Sequence, residues 1–321
     1  MNPVIFVDTG TTNSRVWLMS ENKILARAEA MVGVRDTARE GNNDKLKAAL
    51  RDLISEVQSS VQLRHKASAV IAAGMITSAL GLADIPHLSA PVGIAELAKN
   101  TKAFSFPEIT DLPFYLVTGV RSGSAQCTPE NVGEVDLMRG EETLCLGLLE
   151  NFQAPFSVLN LGSHWKVIQV DESGRVASSV TTISGELIYA TQTQTILASA
   201  VPHEKPDSID YEWASAGMQA QQNSGLARAL FCVRLLEQKS ESTPQQRLSF
   251  LIGAYVSSDF EGFKKSKTLK NKTLITGSGE IGKFWGKLLN ESGFSARVLS
   301  QPETESAFLK GLGNCFMVFE N

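Results

Sequence analysis

The alternation of apolar and polar residues at the start of the chain predicts a β-meander followed by a helix. An unbroken apolar run at residues 4–7 ends in a polar turn at residues 8–12, and further strand-like stretches follow at residues 15–19 and 24–28. Apolar residues at helical spacing then predict a helix over residues 44–61, with charged residues on its opposite face. This order indicates the opening of a sheet that is covered by a helix.

The pattern of the opening strands recurs in the second half of the chain. A helical pattern over residues 138–149 precedes a strand, a Gly-Ser-His turn and a second strand within residues 156–170. Asn160, just before this turn, lies 152 positions after Asp8, just before the first turn (160 − 8). That spacing is too long for a solenoid repeat and indicates two related domains, with a chance match as the alternative.

Strands and helices alternate along the rest of the chain, which predicts the α/β class. In the first half, strands are predicted at residues 69–73 and 114–118, with a loop between them. The pattern predicts a largely helical region from residue 186 to 260, with four candidate helices. The sequence then predicts a strand, a glycine loop and a helix within residues 273–289, and a last strand and helix within residues 296–319.

Composition is typical of a globular protein and disfavours several kinds of partner. A length of 321 residues predicts roughly two domains. Lysine plus arginine number 30 against 34 aspartate plus glutamate, so the net charge is −4, and no basic stripe indicates nucleic acid or anionic lipid. The four cysteines and four histidines lack the spacing of a zinc site or a disulfide framework. Without a secretory leader or an apolar run of about 18 residues, we expect a cytoplasmic protein with no membrane partner.

Three glycine-containing turns are candidates for phosphate binding. The first, Gly-Thr-Thr-Asn at residues 10–13, offers backbone N–H groups and hydroxyls that can approach phosphate oxygens closely. Asp8 precedes it and is placed to hold Mg²⁺ through water. The others lie at residues 162–163 and 277–279. The first turn has neither P-loop nor dinucleotide-fold spacing, so by itself it also fits a plain β-hairpin.

The set of three loops resembles the superfamily of sugar kinases, actin and heat-shock ATPases. Within it, the chain resembles the 2-dehydro-3-deoxygalactonate kinase family through Asp136-Leu-Met-Arg-Gly-Glu-Glu-Thr143, Gly162-Ser-His-Trp-Lys166, Ser184-Gly-Glu-Leu187 and Ala73-Gly-Met75. The resemblance implies an actin-like ATPase fold of two ribonuclease-H-like lobes with an interlobe cleft. We expect the N-terminal lobe, with the first hairpin and the sugar-acid pocket, over residues 1–135, and the C-terminal lobe over residues 136–321.

The resemblance also implies an activity: ATP-dependent, Mg²⁺-dependent phosphorylation of the 6-hydroxyl of 2-dehydro-3-deoxy-D-galactonate, in galactonate catabolism. The expected catalytic residues are Asp136, Arg139, Glu141 and Lys166. The expected nucleotide contacts are Asp8, Gly10, Thr11, Thr12, Asn13, Arg15, Gly162, Ser163, His164, Gly277, Ser278 and Gly279, with Asp8 also the metal ligand. The expected substrate contacts are Met75, Ser78, Arg139 and Glu142.

Several of these roles have a structural alternative. Asp136 is the favoured base, and it also fits a helix N-cap. Arg139 fits a bidentate clamp for the substrate carboxylate, or an ion pair on a helix surface. Lys166 fits a phosphate-neutralising cation or an exposed strand cation, and His164 fits a phosphate donor or a structural histidine.

Three departures from the family pattern bear on the acceptor. Thr9, Leu82 and Trp165 stand where relatives usually carry other residues, and we expect these positions to lie near the acceptor. These departures bear on which sugar acid is the acceptor more than on whether phosphoryl transfer takes place. Two other functions stay open on this fold, an actin-like or chaperone-like ATPase and a non-catalytic sugar-acid sensor, and so does a homodimer.

Overall fold

The structure is a computed structural model that describes residues 2–21, 23–61, 66–277 and 279–320. It divides into two compact units. The first contains Met1–Ala154, Asp171–Ser178 and Pro302–Asn321, and the second contains Pro155–Val170 and Ser179–Gln301. Among the described residues, no helix combines the length and apolar character needed to cross a membrane.

The first unit is built on a six-stranded mixed sheet. In chain order, its elements up to residue 154 are β1 (Val4–Thr9), β2 (Ser14–Ser20), β3 (Lys23–Ala30), α1 (Val34–Glu40), α2 (Asp44–Ser59), β4 (Val70–Gly74), β5 (Leu88–Ser89), α3 (Ile94–Asn100), β6 (Lys102–Phe106), β7 (Thr110–Leu116), β8 (Val120–Ser122), β9 (Asp136–Met138) and α4 (Glu141–Leu148). The main sheet has the order β3-β2-β1-β4-β7-β6, and β5, β8 and β9 form a small separate sheet. In the main sheet, β1 is antiparallel to β2 and parallel to β4.

Burial explains why the first strands and helix form where the apolar pattern predicts them. Ile5, Phe6 and Val7 of β1 are all buried, as expected for a central strand covered on both faces. The apolar stripe of α2, which includes Leu46, Leu50 and Ile54, is buried in the same core cluster. Burial of such side chains contributes about 1.5–3 kcal/mol each, so the sheet and α2 stabilise one another.

The second unit repeats the topology of the first. Its elements, in chain order, are β10 (Phe156–Leu161), β11 (Trp165–Val170), β12 (Val176–Thr182), α5 (Ser184–Gln194), α6 (Tyr211–Ser224), α7 (Leu226–Lys239), α8 (Pro244–Lys265), β13 (Lys272–Gly277), α9 (Gly279–Glu291) and β14 (Ser295–Val298), after which α10 (Gln301–Glu320) follows. The first three residues of β12 belong to the segment 171–178 of the first unit. The sheet order β12-β11-β10-β13-β14 matches the order β3-β2-β1-β4-β7. The strand directions also match, because β10 is antiparallel to β11 and parallel to β13. The predicted duplication is therefore confirmed in topology.

The last helix returns to the first unit and crosses α4. A Cβ on Gly147 of α4 would lie 1.8 Å from the carbonyl oxygen of Ala307, and one on Gly311 of α10 would lie 2.0 Å from that of Thr143. Only glycine permits so close a backbone approach at these two points. The division predicted between residues 135 and 136 consequently falls inside the first unit, since α4 and α10 pack there together.

Most predicted elements are present, and two segments differ. The stretch between β4 and β7, predicted as loop, contains a 3₁₀ turn (Met75–Thr77), β5, α3 and β6. The helix predicted from residue 138 begins at Glu141, and its N-cap is Gly140. The prediction that Asp136 caps a helix is wrong, because Asp136 is the first residue of β9 and pairs with Ser122.

Candidate active site

The first glycine turn closes a tight hairpin between β1 and β2. The N–H of Gly10 donates to the carbonyl of Asn13 over 2.9 Å, which leaves Thr12 and Asn13 exposed at the tip and Thr11 half-buried. Gly33, just before α1, lies against this turn: a Cβ there would come within 2.6 Å of the backbone oxygens of Gly10 and Thr11. The hairpin is thus held rigidly by a backbone contact that only glycine allows.

Asp8 and Arg15 form an ion pair at the base of this hairpin. The guanidinium Nη2 of Arg15 lies 2.5 Å from Oδ2 of Asp8, and the Asp8 side chain is 14% exposed. Burial raises the pKa of the Asp8 carboxyl above its usual range, although Arg15 opposes the rise, and the negative charge of Glu141 adds to it. The charge of a second carboxylate therefore acts on Asp8 at the base of the first hairpin.

That second carboxylate comes from the turn between β9 and α4. A Cβ on Gly140 would lie 3.2 Å from Cα of Gly74, which pairs with Thr9 where β1 and β4 end side by side. Glu141 Oε2 accepts the backbone N–H of Arg139 over 3.0 Å, which fixes the carboxylate at this turn. Asp8 and Glu141 are thereby brought to the same end of the sheet.

Glu142 was expected to contact the substrate, and its position contradicts this prediction. Its side chain is fully buried, both carboxyl oxygens lie 2.9 Å from the backbone N of Gly140, and Thr143 Oγ1 donates to Oε1 over 3.1 Å. Burial, with a smaller contribution from the charge of Glu141, raises the pKa of Glu142 to about 7. Glu142 therefore holds the turn at the start of α4 and has no surface for a ligand.

The guanidinium of Arg139 is also occupied within the first unit. Nη1 donates to the carbonyl of Thr77 over 2.5 Å and to its hydroxyl over 2.8 Å, and Nη2 donates to the carbonyl of Ile85 over 2.9 Å. Nη2 also lies 3.4 Å from Nδ1 of His87, and the side chain is 8% exposed. Burial lowers the pKa of Arg139, and the charge of Asp84 opposes this. The predicted bidentate clamp does not fit, because both terminal nitrogens already donate to the protein.

The second hairpin repeats the construction of the first. The N–H of Gly162 donates to the carbonyl of His164 over 3.3 Å, and the N–H of Glu186 donates to the carbonyl of Ser163 over 2.8 Å. A Cβ on Gly185 would lie 2.2 Å from the carbonyl oxygen of Gly162. Gly185 therefore packs against the second hairpin in the same way that Gly33 packs against the first. Gly185 follows Gly33 by 152 positions (185 − 33), the same offset that separates the turns. Neither glycine was among the expected site residues, although Gly185 lies in the family motif at residues 184–187 and the shared offset was the signal that could have found both.

Two side chains of the second hairpin have defined surroundings. Lys166 is only 5% exposed, so the alternative of an exposed strand cation is excluded. A buried ammonium is stable only with polar or charged partners, which is consistent with an anion-binding role. His164 is half-buried, and its Nδ1 lies 3.1 Å from the Ser163 hydroxyl.

The third loop follows the strand next to the second hairpin. Gly277 ends β13, pairs with Leu161 and has a φ of 82°, and Gly279 begins α9. The predicted contact at Ser278 lies outside the described residues. This strand, loop and helix order places backbone N–H groups at the start of α9, as the sequence predicted.

The expected acceptor residues follow β4. Met75 begins the 3₁₀ turn and packs partly against the core, and the Ser78 hydroxyl donates to the Met75 carbonyl over 2.7 Å. Thr9 and Trp165 are buried in the interiors of the first and second unit. Thr9 pairs with Gly74, the residue before Met75, and the expectation that Thr9 and Trp165 lie near the acceptor stays a prediction. Leu82 is half-buried against the first core and belongs to the same loop as Met75.

Comparisons with known proteins identify the family. The family model for 2-keto-3-deoxy-galactonokinase matches residues 8–315. This chain belongs to that family. It is therefore a kinase, a phosphotransferase of sugar metabolism.

Two relatives of this kinase family resemble the chain over most of their length. The 2-dehydro-3-deoxygalactonokinase of Escherichia coli K12 is 26% identical over 281 residues, which cover 85% of this chain and 86% of the relative. A crystal structure from Sinorhizobium meliloti, provisionally assigned to 2-dehydro-3-deoxygalactonokinase, has a TM-score of 0.76 at 23% identity and covers 97% of both chains. The second likeness shows the shared fold.

A more distant structure extends the likeness of fold beyond the family. The activator of 2-hydroxyisocaproyl-CoA dehydratase from Clostridium difficile, which was solved with bound ADPNP, has a TM-score of 0.55 at 11% identity, covering 99% of this chain and 96% of the activator. The predicted α/β fold of actin-like ATPases and sugar kinases is confirmed. The interlobe cleft, the homodimer and the roles of the remaining site residues stay predictions.

The kinase family implies Mg²⁺, and Asp8 is the expected ligand. The described residues contain no group of three or more histidine, cysteine, aspartate or glutamate side chains suited to a metal ion. Mg²⁺ in kinases usually needs only one or two protein carboxylates, because nucleotide phosphates and water supply the other oxygens. The Asp8 carboxylate, with the Glu141 charge acting on it, fits that smaller requirement.

Proposed function

We propose that this kinase transfers the γ-phosphoryl group of ATP to the 6-hydroxyl of 2-dehydro-3-deoxy-D-galactonate, a six-carbon 2-keto-3-deoxy sugar acid of galactonate catabolism. The match of the family model over residues 8–315 supports the substrate class. The observation that carries the chemistry is the position of Glu141 at the strand ends where Asp8 and the first hairpin lie. Phosphoryl transfer needs donors for phosphate, cationic charge and a carboxylate near the attacking hydroxyl, and this end of the sheet has all three.

The phosphate and adenosine contacts are assigned to the hairpins and the glycine loop. In the first unit these are Gly10, Thr11, Thr12, Asn13 and Arg15. In the second unit they are Gly162, Ser163, His164 and Lys166 for phosphate, and Gly277 and Gly279 for adenosine. Backbone N–H groups and cationic side chains stabilise the charge that spreads over the phosphate oxygens in the transition state. Asp8 would hold Mg²⁺, which supplies further neutralisation of that charge when bound.

Glu141 is the carboxylate that the geometry favours as general base. Its charge raises the pKa of Asp8, and its oxygen is held by the Arg139 N–H, whereas Asp136 lies on β9 opposite Ser122. In the proposed step, the acceptor oxygen bonds to the γ-phosphorus while the bond from that phosphorus to the bridging oxygen breaks. ADP leaves with the bond's electron pair, and the hydroxyl proton passes to Glu141.

The deciding experiment is a coupled ADP-release screen over sugar acids with the full chain, with and without Mg²⁺. We expect ADP release that depends on a 2-keto-3-deoxy sugar acid and on Mg²⁺. Release that no sugar acid changes would indicate an actin-like or chaperone-like ATPase, and binding of a sugar acid without turnover would indicate a sensor. Either result would overturn the proposal.

Two isosteric variants identify the base. We expect Glu141→Gln to lower kcat by about 10²–10⁴-fold with little change in the KM for ATP, the usual effect of losing a general base. Asp136→Asn is the matched comparison, because it also removes one carboxylate charge near the same turn. A loss of most kcat in Asp136→Asn, with Glu141→Gln nearly unaffected, would return the role to Asp136 as the sequence first suggested.

A further inference from the structure

Arg139 connects the proposed base to the loop expected to bind the acceptor. Its backbone N–H donates to Glu141 Oε2 over 3.0 Å, and its guanidinium donates to the carbonyls of Thr77 and Ile85 over 2.5 and 2.9 Å. Thr77 and Ile85 lie in the segment of residues 75–87, which we call the acceptor loop and which contains Met75 and Ser78. Arg139 therefore contacts both the proposed base and the acceptor loop, and the reaction depends on the distance between these two.

The acceptor loop is already folded tightly on itself, and Arg139 joins its two ends. The N–H of Leu82 donates to the carbonyl of Ile76 over 2.8 Å, and the N–H of Ile85 donates to the carbonyl of Thr77 over 3.1 Å. The Thr77 carbonyl thus accepts from Ile85 and from Arg139 together. Because the planar guanidinium presents its donors in a fixed fork, it holds these two carbonyls at a set separation.

A second route links the guanidinium to the end of β4. Thr77 is fully buried, accepts from Arg139 Nη1 at its hydroxyl over 2.8 Å, and donates from the same hydroxyl to the Gly74 carbonyl over 3.1 Å. Gly74 pairs with Thr9, the residue after Asp8. The connection from Arg139 therefore reaches the strand ends that carry Asp8.

We propose that Arg139 is a positioning residue that sets the acceptor loop against Glu141, and that it does not bind the substrate carboxylate. This inference rests on the proposed function, because it assigns the loop to the acceptor and Glu141 to its hydroxyl. A displacement of about 1 Å between reacting groups can cost about 10²-fold in rate. The guanidinium of Arg139 thus controls the rate of acceptor turnover by positioning the acceptor loop, and it does not contact the acceptor.

The test compares Arg139→Lys and Arg139→Met with the wild-type chain. Lysine keeps the positive charge but lacks the fork, and methionine removes both. We expect kcat to fall by about 10²-fold and the acceptor KM to rise in both variants, with the KM for ATP unchanged within about twofold. Thr77→Val, which alters a fully buried side chain, should change the same parameters in the same direction but less.

Arg247→Lys is the matched control for a general loss of stability. Arg247 is 7% exposed and donates from Nε to the carbonyl of Ala200 over 2.6 Å, so it resembles Arg139 in burial and in partners but lies on α8 of the second unit. We expect this variant to melt at a lower temperature while its acceptor kinetics stay at the wild-type values. Acceptor kinetics altered equally in Arg247→Lys would overturn the positioning role.

Hydrogen exchange provides a readout that does not need activity. We expect the amides of Leu82 and Ile85 to exchange faster in both Arg139 variants, because these variants lose the guanidinium hydrogen bonds to Thr77 and Ile85. In Arg247→Lys, which keeps those bonds, the same amides should exchange at the wild-type rate. Unchanged exchange together with a raised acceptor KM would mean that Arg139 binds the substrate directly, which overturns the proposal. If the wild-type chain did not turn over any acceptor, the proposed function would be refuted. Faster amide exchange in the Arg139 variants would then still show that the Arg139 guanidinium holds the loop of residues 75–87.

Discussion

Replacing the buried Glu142 by glutamine should stabilise the protein, and only above mildly acidic pH. The carboxyl faces the Gly140 N–H and the Thr143 hydroxyl, and the charged or titratable groups that act on it or respond to it are Glu141, Arg139 and Cys315. Burial and the charge of Glu141 hold its pKa at about 7 in the folded state, against an ordinary 4.5. The folded chain therefore binds this proton more tightly than the unfolded chain does.

The sign and size of the effect follow from that difference in pKa. Between pH 4.5 and about 7 the folded state holds more protons than the unfolded state, so the free energy of unfolding falls as pH rises and levels off above about 7. At about 1.4 kcal/mol for each tenfold change in proton affinity, the cost of ionising Glu142 reaches about 3 kcal/mol. Glutamine stays neutral, and its amide oxygen can keep the bonds that Oε1 accepts, so the variant avoids that cost.

Thermal unfolding at a series of pH values measures this prediction. At pH 8 we expect Glu142→Gln to be more stable by up to about 3 kcal/mol, a rise in Tm of several degrees for a unit of this size. The difference should vanish below about pH 4.5, and Glu212→Gln, which removes an exposed glutamate in the first turn of α6, is the control for the loss of one carboxylate. A Glu142→Gln variant less stable than wild type at pH 8 would refute the reasoning.

Two further predictions concern glycines at close backbone contacts. Gly185→Ala places a Cβ 2.2 Å from the Gly162 carbonyl oxygen and should displace the second hairpin. We expect the KM for ATP to rise at least about tenfold. Gly262→Ala is the control, because Gly262 has open space around it, and this variant should leave the KM for ATP unchanged. Gly147→Ala places a Cβ 1.8 Å from the Ala307 carbonyl oxygen and should destabilise the first unit by about 1–3 kcal/mol in urea unfolding, whereas an unchanged midpoint would contradict the α4–α10 crossing.

The local pattern of residues was enough to predict the hairpins and most of the helices. Gly10 and Gly162 end apolar strands and are followed by small polar residues, so the turns are encoded within a few positions of the chain. The helix predicted over residues 44–61 forms over Asp44–Ser59, because its apolar stripe is a property of its own residues. The 152-residue offset likewise predicted the duplicated topology, since both halves carry the same local signals.

Which side chains face a ligand was decided only in the tertiary structure. Arg139, Glu141 and Glu142 are near neighbours in one motif, yet the first is bound to the acceptor loop, the second acts on Asp8 and the third is fully buried. The reason is that burial and hydrogen-bond partners come from segments distant in sequence, such as Thr77 for Arg139, which local patterns do not encode. The sequence determined that the motif of this kinase family is present, and the packing around it determined what each of its residues can do.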